Sequence, residues 1–124
     1  MPGWSAVAAR DAGADCAKLL LPFHPDHPTA DAQVAVASEV AAQCREAGIP
    51  IVLEPLFFDL DDPADRRRVV VETARRFAAI EPDLLKLPFP VDPSLVTDHA
   101  ERVAACREVT DTCSQPWALL SGGG

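Results

Sequence analysis

Asp83-Leu84-Leu85-Lys86-Leu87-Pro88 is a short apolar run with one charge inside it and a proline closing it. Runs of this length, bounded by Pro or Gly, read as strands buried on both faces. The same unit recurs on either side. Upstream lie Cys16-Ala17-Lys18-Leu19-Leu20-Leu21, ended by Pro22, and Ile51-Val52-Leu53-Glu54, ended by Pro55. Downstream lies Trp117-Ala118-Leu119-Leu120, ended by Ser121 and three glycines.

Helical segments separate these runs. From Thr29 to Ala47, Val34, Val36, Val40 and Ala41 recur at helical spacing, and Gly48 follows as a stop signal. Asp62-Pro63 opens a second helix that runs to about Ile80, with proline suited to the first turn. A third runs from roughly Pro93 to Val109, and a short one, Trp4 to Ala12, precedes the first strand. The basic run Arg66-Arg67-Arg68 reads as a solvated face of the second helix, with acids nearby for i,i+4 pairing. The order αβαβαβαβ calls for an α/β fold with a parallel sheet and right-handed crossovers.

A chain of 124 residues holds one domain at most, and 48% hydrophobic content is enough for a packed core, which makes disorder a poor reading. The net charge of −8 argues against nucleic acid or an anionic membrane as partner. It leaves a phosphorylated small molecule open, since a pocket needs only a few local donors. Met1-Pro2-Gly3-Trp4-Ser5 does not open a signal peptide, and no apolar run approaches the length of a membrane span. Cys16, Cys44, Cys106 and Cys113 lack metal-type spacing and read as thiols of a reducing cytoplasm. In Pro22-Phe23-His24-Pro25-Asp26-His27-Pro28, two His and an Asp raise the thought of a metal, but three prolines restrict their convergence. A solvated loop, or substrate contact by His24, is the better reading.

Lys18, Glu54 and Lys86 break the strand pattern, and Ser121 stands at the matching place in the fourth run. Successive members lie 36, 32 and 35 residues apart, one β/α unit each time. Equivalent positions on parallel strands converge at one mouth, at the carboxyl ends where such folds place catalysis. A structural ion-pair cluster is one explanation, but burying three charges for stability compares poorly with apolar packing. A functional one fits better. A lysine in a dry site beside a second cation favours its neutral amine, the form a nucleophile needs. A carboxylate between two lysines can shuttle protons through carbinolamine formation, dehydration and C–C cleavage. Ser121-Gly122-Gly123-Gly124 leaves the strand with unencumbered backbone N–H groups, suited to a phosphate or simply to a flexible end.

Three stretches together carry a resemblance: residues 13–21 (Gly-Ala-Asp-Cys-Ala-Lys-Leu-Leu-Leu), 49–56 (Ile-Pro-Ile-Val-Leu-Glu-Pro-Leu) and 83–88. In this order they resemble the tagatose-1,6-bisphosphate aldolase family, within the class I aldolases that include deoxyribose-phosphate aldolase. Sulfofructosephosphate aldolases are similar at the same places. The resemblance implies a (β/α)₈ TIM barrel and cleavage of a ketose phosphate to dihydroxyacetone phosphate and an aldehyde, with no metal or other cofactor. It implies Lys86 as the Schiff-base lysine, Glu54 as the acid/base carboxylate and Lys18 as a second active-site lysine. Ser121, Gly122 and Gly123 would begin the phosphate loop.

The departure is length, since such a barrel takes about 250 residues. The chain is expected to be a fragment, a single partial barrel matching strands four to seven. Half a barrel exposes two sheet edges, inviting pairing with another copy into a homo-oligomer. A non-catalytic sugar-phosphate-binding or regulatory module, and an inactive piece, remain the alternatives.

Overall fold

The computed structural model describes residues 4–120. Helix α1 (Ala6–Asp11) leads into β1 (Ala17–Pro22), followed by α2 (Ala30–Ala47), β2 (Ile51–Leu56), α3 (Arg66–Ala78), β3 (Leu84–Leu87), α4 (His99–Thr112) and β4 (Trp117–Leu119). The four strands form one parallel sheet in the order β1-β2-β3-β4. This is the α/β wall of a partial TIM barrel: each strand lies beside the next, with a helix in every crossover.

Local chemistry sets the helix limits. Ser5 caps α1 by accepting from the Ala8 N–H, and Asp98 caps α4 by accepting from the Glu101 N–H. Helix α4 therefore starts at His99, not near Pro93. The residues before it form a tight turn in which Asp92 accepts from both the N–H and the hydroxyl of Ser94. Asp62 caps a single 3₁₀ turn, Pro63–Asp65, ahead of α3. Gly48 ends α2 at φ +76°, a left-handed conformation that costs glycine nothing.

Pro22 is the last residue of β1, whereas Pro55 lies within β2 instead of ending it. The Phe23 N–H donates to the Leu56 carbonyl, so odd residues of β1 and even residues of β2 face one another. The donor missing from Pro22 therefore falls on the open edge of the sheet. On the other flank of β2, the Ile51 carbonyl accepts from Asp83. The Leu85 N–H turns to Pro116, leaving Leu84 and Lys86 to face β2. Registered pairing between β2 and β3 ends at Leu53–Leu85. The next two ladder bonds would be donated by residues 55 and 88, and both are proline. By contrast, β3–β4 pairing continues to Leu87–Leu119.

One face of the sheet carries the core. Leu19, Leu21, Leu53, Leu85 and Leu87 pack with Cys44, Val70, Ala74 and Phe77 of the helices. Phe23 and Phe77 meet edge to face at 4.8 Å. The expectation of strands buried on both faces fails for β1, whose burial alternates residue by residue, with Leu20 52% exposed. Helices cover only one side of the sheet. No helix among the described residues is long and apolar enough to cross a membrane.

Candidate active site

Strand parity puts Lys18, Glu54 and Lys86 on the face opposite the helices. Glu54 pairs with Leu20 in the ladder, and Lys18 pairs with Val52. Lys18 therefore stands two residues below Glu54 in the register, not level with it, and its long side chain closes the gap diagonally. Lys86 Nζ lies 3.4 Å from Glu54 Oε1. Lys18 Nζ lies 3.9 Å from Oε2 of the same carboxylate. Each oxygen thus faces one lysine.

Burial is uneven across the trio. The Glu54 side chain is 8% exposed, Lys86 30% and Lys18 53%. The expectation that all three charges are buried holds only for the carboxylate. A strand lysine can run its methylenes along the sheet and keep its ammonium wet, which glutamate is too short to do. The result is a shielded anion flanked by two cations that solvent or a substrate can reach.

The rung of β4 level with Lys86 is held by Ala118, not by Ser121. Ser121, Gly122 and Gly123, expected to hold a phosphate, lie outside the described residues. Composition also singles out the amines: Lys18 and Lys86 are the only lysines in the sequence, against nine arginines. A surface ion pair can use either residue, whereas attack on a carbonyl requires the amine.

The segments leaving the carboxyl ends of the strands are tied together by the arginine run. It is not merely a solvated helix face. Arg66 Nε donates to the Phe89 carbonyl at 2.8 Å, and its guanidinium lies 5.1 Å from the centroid of the Phe57 ring. Burial pushes the Arg66 pKa down, opposed by the charge of Asp92. Arg67 pairs with Glu108 of α4 at 2.7 Å. Arg68 bridges Asp65 and Asp26, at 2.7 and 2.6 Å, and so anchors the loop after β1. In that loop His27 Nδ1 meets the Thr29 hydroxyl at 2.8 Å, and the rings of His24 and His27 pack edgewise on Phe58. Among the described residues, no three His, Cys, Asp or Glu side chains group as metal ligands.

Hydrogen bonds from Arg68 hold the Asp26 and Asp65 carboxyls below their ordinary pKa. A carboxylate with a depressed folded-state pKa adds stability above its unfolded value and loses it as pH falls through the folded one. Arg68→Met removes that difference. The urea midpoint of the native chain should therefore fall more steeply below about pH 4 than that of Arg68→Met. Parallel acid limbs would show that the bridge contributes nothing in solution.

With this geometry in place, comparison with known proteins identifies the chain. The model of the family described as DeoC/LacD family aldolase matches residues 2–124. The chain belongs to the DeoC/LacD aldolase family. Among its curated relatives are the tagatose 1,6-diphosphate aldolases of Listeria monocytogenes and Listeria innocua. Each is 28% identical over 140 aligned residues, an alignment covering 96% of this chain. The chain spans 41% of the length of these relatives. The crystal structure of Cgl0159 from Corynebacterium glutamicum superposes with a TM-score of 0.67 at 20% identity, over 96% of this chain and 39% of that one. That likeness bears on the fold alone. Within this DeoC/LacD chain, the ion-paired trio occupies the helix-free face of the four parallel strands.

Proposed function

We propose that the chain carries the central catalytic residues of a class I aldolase that cleaves a ketose phosphate through a Schiff base on Lys86. The carrying observation is the buried Glu54 carboxylate, with one lysine against each oxygen on the open face of the sheet. Membership of an aldolase family supports the reaction class. Relatives named for tagatose 1,6-diphosphate support a ketose bisphosphate substrate. In this reading the strands correspond to the fourth through seventh of a complete barrel.

The neutral Lys86 amine attacks the substrate ketone and forms a carbinolamine. Glu54, in its acid form, gives a proton to the departing hydroxyl, and the protonated imine remains. The hydroxyl on the far side of the scissile bond then loses its proton to the Glu54 carboxylate. The carbon–carbon bond breaks, the aldehyde leaves, and the electron pair flows through the resulting enamine to the imine nitrogen. Protonation at carbon and hydrolysis release dihydroxyacetone phosphate and free Lys86. Lys18 places a fixed positive charge beside Glu54 and near the phosphorylated substrate.

The test is borohydride reduction of the folded chain with dihydroxyacetone phosphate, followed by peptide mapping. A reduced adduct on Lys86 is expected. A folded chain that binds the triose phosphate but yields no adduct on either lysine would sink the Schiff-base reading and leave a sugar-phosphate-binding module.

A further inference from the structure

Glu54 and Lys86 stand at the level where pairing between their strands runs out. Past Leu53–Leu85 the ladder would need N–H donors at residues 55 and 88, and prolines occupy both positions. The backbone therefore cannot hold β2 to β3 beyond the two reactive groups. Yet a carboxylate and an amine that exchange protons through a shared substrate need a fixed separation.

Arg66 lies where the missing ties would be. Its Nε–H donates to the carbonyl of Phe89, three residues after Lys86. The same guanidinium stacks over the ring of Phe57, three residues after Glu54. One side chain thus joins the continuations of both strands, at equal distances along the chain from the two groups. A guanidinium suits the task because it is planar enough to stack while donating in its own plane. We infer that Arg66 is a positioning residue, clamping the exits of β2 and β3 and so setting the approach of Lys86 to Glu54. Its catalytic consequence rests on the function proposed above.

The two lysines allow a test that needs no substrate. Limited acylation of the native chain with acetic anhydride at fixed pH, read by mass spectrometry, gives the ratio of modification at Lys86 to that at Lys18. An amine held 3.4 Å from a carboxylate is engaged by it and is less free to attack, so it reacts slowly. In Arg66→Met, Lys86 should drift from Glu54 and the ratio should rise. Adduct formation with dihydroxyacetone phosphate should slow by between about tenfold and about a hundredfold. Arg67→Met is the control: it removes an ion pair from the same turn of α3 and should leave the ratio unchanged. Should Arg66→Met fail to fold, Arg66→Lys keeps the charge but cannot stack and donate together, and it should move the ratio the same way. An unchanged ratio in the folded Arg66 variant, or an equal change in Arg67→Met, overturns the inference. Binding of the triose phosphate by the native chain without any adduct, with the ratio still shifted in the Arg66 variant, would instead remove the aldolase proposal and leave the clamp standing.

Discussion

Lys86→Ala is expected to abolish adduct formation with dihydroxyacetone phosphate, lowering its rate by at least about 10⁴-fold, as loss of a covalent nucleophile does. The fold should survive. Lys86 lies on the open face of the sheet, and Glu54 keeps Lys18 at 3.9 Å after the change. A melting curve close to that of the native chain, together with a silent trapping experiment, would separate chemistry from collapse. Lys18→Ala should instead slow trapping and alter its pH dependence, because it removes a charge beside Glu54 and spares the amine. Trapping of Lys86→Ala at the native rate, with the label on Lys18, would transfer the nucleophile to β1, on the far side of β2.

The second large effect concerns stability. Glu54 is the only buried member of its trio, so removing the lysines and removing the carboxylate are unequal changes. Lys18→Met with Lys86→Met leaves a shielded carboxylate without a countercharge, a change that costs about 3–5 kcal/mol. Glu54→Gln leaves two lysines free to turn to water and should cost about 1 kcal/mol. Adding Glu54→Leu to the lysine pair should recover much of the loss, since apolar packing commonly matches or exceeds a buried ion pair. Urea unfolding of the three variants gives the order directly. A lysine-pair variant as stable as Glu54→Gln would mean that Glu54 is far better hydrated than its 8% exposure implies. In trapping, Glu54→Gln should lose about 10²- to 10⁴-fold, the usual range for a general acid–base group. Large loss of chemistry with small loss of stability is the pattern expected of a working carboxylate.

Much of this architecture was legible in the residues. Four apolar runs at regular spacing, each entered from a helix, predict the strands, their order and the parallel sheet. Lys18, Glu54 and Lys86 stand out as charges inside those runs, and the structure brings all three together. Burial and reach were harder to read. The alternation along β1 depends on what covers each face, and the run Leu19-Leu20-Leu21 is apolar on both. Spacing alone puts Lys18 level with Glu54, because a two-residue offset is invisible in separations that include loops of different length. The arginine run is the half-exposed face that the sequence suggests, but its partners on other segments leave no periodic mark within α3. The start of α4 at His99 follows from the Asp98 cap, which a helix drawn from about Pro93 does not use.

The two prolines that interrupt the β2–β3 ladder place this sheet under a trade-off between robustness and use. A residue with an N–H at position 55 would offer a bond to the carbonyl of Lys86, and one at position 88 would offer a bond to residue 55. Both would lengthen the seam between the strands and draw their exits together. Directed evolution for heat resistance alone would be free to make those changes, tightening the seam at the level where, in the proposed mechanism, a substrate comes between amine and carboxylate. Variants enriched by such a selection should gain rigidity and lose the proposed adduct formation at Lys86.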